Sequence, residues 1–197
     1  MPSDFTIVNV GYRSTNFWVI TAGSSRLLVD LGWPGMAGRL FAELERKNIP
    51  IKEIRYGFAT HYHIDHAGAA QDLKNRGMTL IVTPEQIDAI PAMKQWTKPD
   101  MNYTEIATAD NAVVKLEDSR EFLKSIGLSG ELVHTPGHSD DSVSLLLDSG
   151  EAFTGDLTPP SLATEGQAET IAKSWRALAD RGARMIYAGH GPIRPFS

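Results

Sequence analysis

Cysteine is missing from all 197 residues. Its absence excludes a disulfide framework, a zinc ribbon and a thiolate nucleophile. Any metal ion must therefore sit on imidazole and carboxylate. Long apolar runs are missing too. Stretches such as Phe17–Ile20 and Leu145–Leu147 fall far short of the ~20 residues that cross a bilayer. The opening Met1-Pro2-Ser3-Asp4-Phe5 has no basic segment leading into an apolar one. The expectation is a cytoplasmic protein with no membrane partner. Basic charge is scarce, with 19 Lys and Arg against 24 Asp and Glu and a net charge of -5. Without a basic face the chain is not a general nucleic-acid binder.

What is present is ordinary for a folded domain. A content of 42% hydrophobic and 22% charged residues excludes disorder, collagen and coiled coil. A chain of this size buries roughly 70% of its unfolded surface. A single domain over residues 1–197 is expected.

Residues 5–10, 16–21 and 25–31 read as strands parted by Gly11 and by Gly23-Ser24-Ser25. Residues 37–47 read as a helix with Ala37, Leu40, Phe41 and Leu44 on one face. An apolar strand over 54–59 runs into His61. Residues 67–76 read as a helix stopped at Gly77, followed by a strand over 78–82. Thr83-Pro84-Glu85-Gln86 reads as a helix start, with Thr83 as cap and Gln86 completing a capping box, and that helix is expected to end near Pro91. Then come a strand over 113–116, a short helix over 119–126 and a strand over 131–135. Residues 142–148 and 151–154 form a hairpin turning at Ser149-Gly150. A helix over 170–180 and a strand over 184–188 follow. Each half supplies a sheet and helices that need a face to cover. Two facing sheets with helices outside satisfy both halves, and the opening meander disfavours a single doubly wound sheet.

The six histidines carry the chemistry. His61-Tyr62-His63-Ile64-Asp65-His66 packs four ligand-type side chains into one loop after an apolar strand. Imidazole and carboxylate are common zinc ligands. A solvated surface loop does not account for such a cluster. Four groups from one tight turn cannot all grip one ion, but they can divide: His61 and His63 to one metal, Asp65 and His66 to a neighbour. Three further segments repeat the order strand, glycine, ligand: Thr135-Pro136-Gly137-His138, Thr154-Gly155-Asp156 and Ala188-Gly189-His190. His138 could complete the first metal, His190 the second, and Asp156 could bridge both. His134 reads as a core imidazole or as support for a ligand.

In this order, these residues resemble the metallo-β-lactamase superfamily: His-x-His-x-Asp-His, a His in Thr-Pro-Gly-His, then Gly-Asp, then a late Gly-His. The resemblance covers nearly the whole chain. It implies an α/β fold, the αββα sandwich of two mixed β-sheets with helices on the outer faces, and a metal site along one edge between the sheets. The absence of Cys and the presence of Gly155-Asp156 look more like the glyoxalase II and lactonase branch than the true lactamases. Only seven residues follow His190, so the extra helical domain of glyoxalase II is expected to be missing. After His138, Asp140 or Asp141 either hydrogen-bonds a ligand imidazole or caps the turn before residue 142.

The implied activity is that of a dinuclear hydrolase with two zinc ions per chain. Its metal ligands would be His61, His63, Asp65, His66, His138, Asp156 and His190. A metal-bridging hydroxide would attack a small carbonyl substrate, a lactone, ester, thioester or lactam. Asp156 would be the catalytic bridge and Asp65 a ligand, with Asp65 or a metal-bound water passing a proton to the leaving group. Tyr62, Trp96 and Tyr103 are the candidate substrate contacts. The alternatives are a mononuclear iron enzyme resembling the persulfide dioxygenases, its iron on His61, His138 and Asp156, or a metal-bound sensor with little turnover.

Overall fold

The computed structural model describes residues 5–23 and 25–196. Met1–Asp4 of the opening segment and Ser24 of the first expected hairpin turn lie outside the described residues. β1 (Phe5–Asn9), β2 (Trp18–Ala22) and β3 (Ser25–Val29) form the opening meander. Their β-branched and aromatic residues suit a pleated, half-buried surface. α1 (Ala37–Arg46) leads to β4 (Ile54–Phe58). α2 (Ile64–Ala67) and α3 (Ala70–Lys74) precede β5 (Thr79–Val82), and α4 (Ala89–Ala92) precedes β6 (Ala112–Val113). The second half holds α5 (Ser119–Ser125), β7 (Gly130–His134), β8 (Val143–Leu147), β9 (Glu151–Gly155), α6 (Ala168–Asp180), β10 (Met185–Ala188) and β11 (Arg194–Pro195).

Among the described residues these strands make two mixed sheets, ordered β1-β2-β3-β4-β5-β6 and β11-β10-β9-β8-β7. β1, β2 and β3 pair antiparallel, whereas β3 to β6 run parallel. In the second sheet β9 and β10 are parallel and their other neighbours antiparallel.

Strand alternation assigns the layers. Trp18, Ile20 and Ala22 of β2 join Val143, Leu145 and Leu147 of β8 in one buried cluster between the sheets. Val19 of β2 points the other way and packs with Leu40 and Leu44 of α1 and Leu73 of α3. On the far side, Leu146 and Ile186 pack with Ile171, Trp175 and Leu178 of α6. The result is helix, sheet, sheet, helix.

Several local expectations are corrected. The helix expected over 67–76 is two short helices, α2 and α3. The carbonyl of His66 accepts the N–H of Leu31 at 2.5 Å, which draws it out of the helical ladder at the end of β3. The capping box at Thr83 and Gln86 forms, but on a 3-10 turn over Pro84–Gln86. The chain then runs past Pro91, because Pro91 falls in the first turn of α4, where its missing N–H costs nothing. The strand expected over 113–116 is the two-residue β6. β11 has no sequence signature: it is two residues long and one is proline.

The topology gathers chain ends. β3, β4, β7, β9 and β10 all finish at one edge of the sandwich. There the N–H of Val143 donates to the carbonyl of Thr60 at 2.8 Å and stitches the two sheets together. Gly189 donates to the Gly155 carbonyl at 2.8 Å, and Asn16 donates to the Gly189 carbonyl at 2.7 Å.

Candidate metal centre

The end of β4 delivers His61, and α2 starts immediately after His63. His61 is 1% exposed and His66 is fully buried. The loops after β7, β9 and β10 bring His138, Asp156 and His190 to the same edge. Close approach demands glycine at two of these ends. Gly155 has φ +53°, and a side chain there would run into the Thr60 hydroxyl. A Cβ on Gly189 would lie 2.6 Å from Oδ1 of Asp156 and 2.5 Å from the His66 ring.

All seven residues singled out in the sequence meet here, six of them in two triads and Asp156 joining these through a third group with His61 and His66. Ligand atoms of His61, His63 and His138 lie within 4.8 Å of one another, as do those of Asp65, His66 and His190. Nδ1 of His63 stands 3.0 Å from Nε2 of His138. In the second triad Oδ2 of Asp65 lies 3.2 Å from Nε2 of His190 and 3.5 Å from Nε2 of His66. Asp156 reaches both. Its Oδ1 is 3.3 Å from Nε2 of His66, and its Oδ2 is 3.4 Å from Nε2 of His190 and 3.7 Å from Nε2 of His138.

Three of these atoms are buried and lack a hydrogen-bond partner: Nε2 of His61, Nε2 of His66 and Oδ1 of Asp156. Orphaned polar atoms are costly inside a protein. Three of them converging on one space, among nitrogen and oxygen donors, fit a divalent cation of borderline softness such as zinc.

The opposite nitrogens fix the tautomers. Nδ1 of His66 lies 2.9 Å from Oδ2 of Asp30, so it carries the proton and leaves Nε2 with a lone pair. Oδ1 of the same carboxylate accepts both the N–H and the hydroxyl of Thr60, each at 2.9 Å. With its proton committed to Asp30, the Thr60 oxygen accepts from Nδ1 of His61 at 3.2 Å. One buried carboxylate thus aims an imidazole in each triad. Asp30 does this from a left-handed backbone, φ 62°, which ends β3. Nδ1 of His190 donates to the Ser14 carbonyl at 2.6 Å, and the Thr15 hydroxyl donates to Oδ2 of Asp65 at 3.3 Å. Gln86 donates to the Ala59 carbonyl at 2.8 Å and steadies the strand end beneath His61.

Electrostatics separate the triads. Burial, then the neighbouring imidazoles, push His61 well below the ordinary histidine range. Burial also lowers His138. Burial opposes charge on His66, but Asp30 and Asp156 outweigh it and raise its affinity for a proton. Burial likewise opposes charge on Asp156, and His66, His190 and His138 more than compensate and lower it. The carboxylates that attract a proton to His66 attract a metal cation equally.

The substrate candidates are dispersed. Trp96 is 60% exposed and borders a cavity of about 340 Å³ with His63, Ile64 and Asp65. Tyr62 is 3% exposed: the extended backbone between His61 and His63 turns it the other way, into the core, with its hydroxyl buried. Burial pushes that hydroxyl far above the ordinary phenol range. Tyr103 is half-buried, packs against the same core and also hides its hydroxyl. These two tyrosines are core residues rather than open contacts. His134 stays outside the triads, its Nε2 2.8 Å from the Asp140 carbonyl. Asp141 does neither of the things expected of it: it accepts the backbone N–H of Tyr62 at 2.7 Å, tying the His138 loop to the metal loop.

Sequence reasoning missed Asp30, Thr60, Ser14 and Thr15. Asp30 had a signal, a lone acid inside Leu27-Leu28-Val29-Asp30-Leu31. The others gave none, because their roles arise only from the fold.

The relatives agree with this architecture. A thioesterase from Aspergillus fumigatus, the atrochrysone carboxyl ACP thioesterase, is 30% identical over 92% of this chain and 52% of its own length. A beta-lactamase-like protein 2 homolog from Drosophila melanogaster is 28% identical over 92% of this chain and 60% of its own. The chain thus spans about half the length of the curated relatives it matches. The crystal structure of a metallo-beta-lactamase family protein from Thermus thermophilus shares the fold. Its TM-score is 0.74 at 19% identity, over 99% of this chain and 75% of that one. The family model described as Metallo-beta-lactamase superfamily matches residues 10–190, from the end of β1 to the last histidine of the centre, and the chain belongs to that superfamily.

Proposed function

We propose that this chain is a dinuclear metal-dependent hydrolase acting on a small carbonyl substrate: a thioester, ester, lactone or lactam. The reading rests above all on Asp156, whose two carboxylate oxygens reach imidazoles of both triads. A relative named as a thioesterase puts thioesters first among the substrates. Bound there, two zinc ions would supply a water with its pKa lowered to about 7 and Lewis-acid polarisation of the carbonyl.

The chain's own residues do the rest. His61, His63 and His138 would hold one ion, and Asp65, His66 and His190 the other, with Asp156 available to both. Asp30 and Thr60 hold the Nδ1 edges of His66 and His61, so that the Nε2 edge of each ring points inward. Asp65, its side chain 17% exposed, can take a proton from the attacking water and pass it to the leaving group. The buried walls around His61 and His66 exclude bulk water and strengthen each electrostatic contact.

Elemental analysis by mass spectrometry, on protein purified without added metal, tests the reading together with a panel of thioesters, lactones and β-lactams. Two zinc ions per chain and metal-dependent hydrolysis are expected. One iron per chain with thiol-dependent oxygen uptake would replace the hydrolase with an oxidative enzyme.

A further inference from the structure

Beside the metal centre lies a cavity of about 320 Å³, lined on one side by His138, Asp156 and His190 and on the other by Thr158, Leu162 and Arg194. We propose that Arg194 is a specificity-determining residue that binds an oxyanion on the substrate, so that the preferred substrates are small carbonyl compounds carrying a carboxylate or phosphate. This inference rests on the hydrolase reading above and narrows it.

Three observations carry it. The first is position. Arg194 lies in β11 and pairs with Ile186 of β10, the strand that ends at His190. The guanidinium is thereby tied to the same sheet edge as a metal ligand. The second is fixation. The Arg194 guanidinium stands 5.3 Å over the ring of Trp175. Trp175 is itself nearly buried, and its indole N–H donates to the Thr158 carbonyl at 2.8 Å. A cation–π contact of this kind consumes none of the guanidinium N–H donors and leaves them for a planar, bidentate anion. Because the group is already held, little side-chain entropy remains to be lost on binding. The third is charge. Arg26, Arg39, Arg46, Arg120 and Arg181 each pair with a carboxylate. Arg13, Arg55, Arg76, Arg176, Arg184 and Arg194 pair with none among the described residues, and of these Arg194 is the one that lines the cavity beside the metal centre.

The remaining wall is apolar. Leu162 is 71% exposed at the rim and Pro159 lies beside it. The group that fits has a charged end toward Arg194 and an apolar flank toward Leu162. Its reactive carbonyl would reach toward Asp156 and His190.

The test uses thiols, which anchor on metal ions whether or not turnover occurs. Calorimetry on the zinc-loaded protein compares 1-propanethiol, 3-mercaptopropionate and 3-mercaptopropyl phosphate. The wild type is expected to bind at least one anionic thiol ~10- to 100-fold more tightly than propanethiol, the range of a hydrogen bond to a charged group. The arm that gains more identifies carboxylate or phosphate as the preferred group. Arg194→Met keeps an apolar cover on Trp175 and is expected to bring the anionic thiol down to the affinity of the neutral one. Arg194→Lys keeps the charge but loses the planar fork, and should recover part of the preference. Equal affinities in the wild type, or a preference that survives in Arg194→Met, would overturn the subsite. Hydrolysis of neutral and anionic esters at equal kcat/KM would likewise remove the subsite and leave the hydrolase standing. If no thiol binds and no ester is cleaved, the hydrolase reading falls and takes this inference with it.

Discussion

The two triads stand side by side yet are built differently. His61, His63 and His138 form an all-imidazole set whose rings pack edge to face at 4.5 to 4.9 Å. Its deepest member lies under the core. Asp65, His66 and His190 mix a carboxylate with two imidazoles, and the His190 side chain is 38% exposed. That second set leans on the segment between β1 and β2. Ser14 receives His190, Thr15 holds Asp65, and Arg13 between the strands adopts a left-handed backbone, φ 58°. The first triad is preorganised largely by ring packing, and the second by hydrogen bonds, from buried Asp30 to His66 and from the segment between β1 and β2 to Asp65 and His190. The difference teaches which parts of the site stability guards and which parts depend on local order.

The comparison can be broken most severely at its shared members. Asp156→Ala removes the link between triads. Activity on the best substrate should fall by more than the roughly 100-fold ceiling typical of residues outside the ligand set. Metal content should drop below that of the wild type, as mass spectrometry would show. Asp30→Asn comes next. Asn tolerates the left-handed backbone but has one acceptor oxygen, so it cannot accept from His66 and from Thr60 at once. Affinity for metal should fall about 10- to 100-fold in both triads, read by competition with a chelator dye. Asp30→Ala should also cost about 3–5 kcal/mol of folding stability in urea denaturation, because it strands buried partners. A milder experiment sharpens the contrast: stepwise chelation should remove the ion of the second triad first, giving two phases in a stopped-flow record. A single phase would mean that the two sets are equally held. The smallest effect is expected from Thr15→Val. It should raise metal dissociation from the second triad about tenfold and leave the slower phase, release from the first triad, unchanged.

These regions also differ in how far the sequence disclosed them. The candidate ligands were legible through the dense run His61-Tyr62-His63-Ile64-Asp65-His66 and through strand ends followed by glycine, as in Thr135-Pro136-Gly137-His138. The inter-sheet faces of β2 and β8 were legible through simple alternation. Asp30 was hidden inside an apolar strand, since a run of hydrophobic residues masks the one acid that ends it. The break between α2 and α3 was illegible because it is caused by the N–H of Leu31, distant in sequence from His66. The inward turn of Tyr62 was equally hidden: its neighbours on both sides face the site, and only the extended backbone shows that it must face away. Loop placement, of Trp96 and Arg194 alike, depends on packing partners that no local pattern encodes.

The chain draws its candidate ligands from both sheets: His61, His63, Asp65 and His66 follow β4, whereas His138, Asp156 and His190 follow β7, β9 and β10. Any ion held among them is thus a staple across the sandwich, in a protein with no cysteine to supply one. An ion present at a thousand times its dissociation constant would add about 4 kcal/mol to folding stability. Metal starvation would then shorten the life of the protein as well as silence it, and its abundance would follow metal supply.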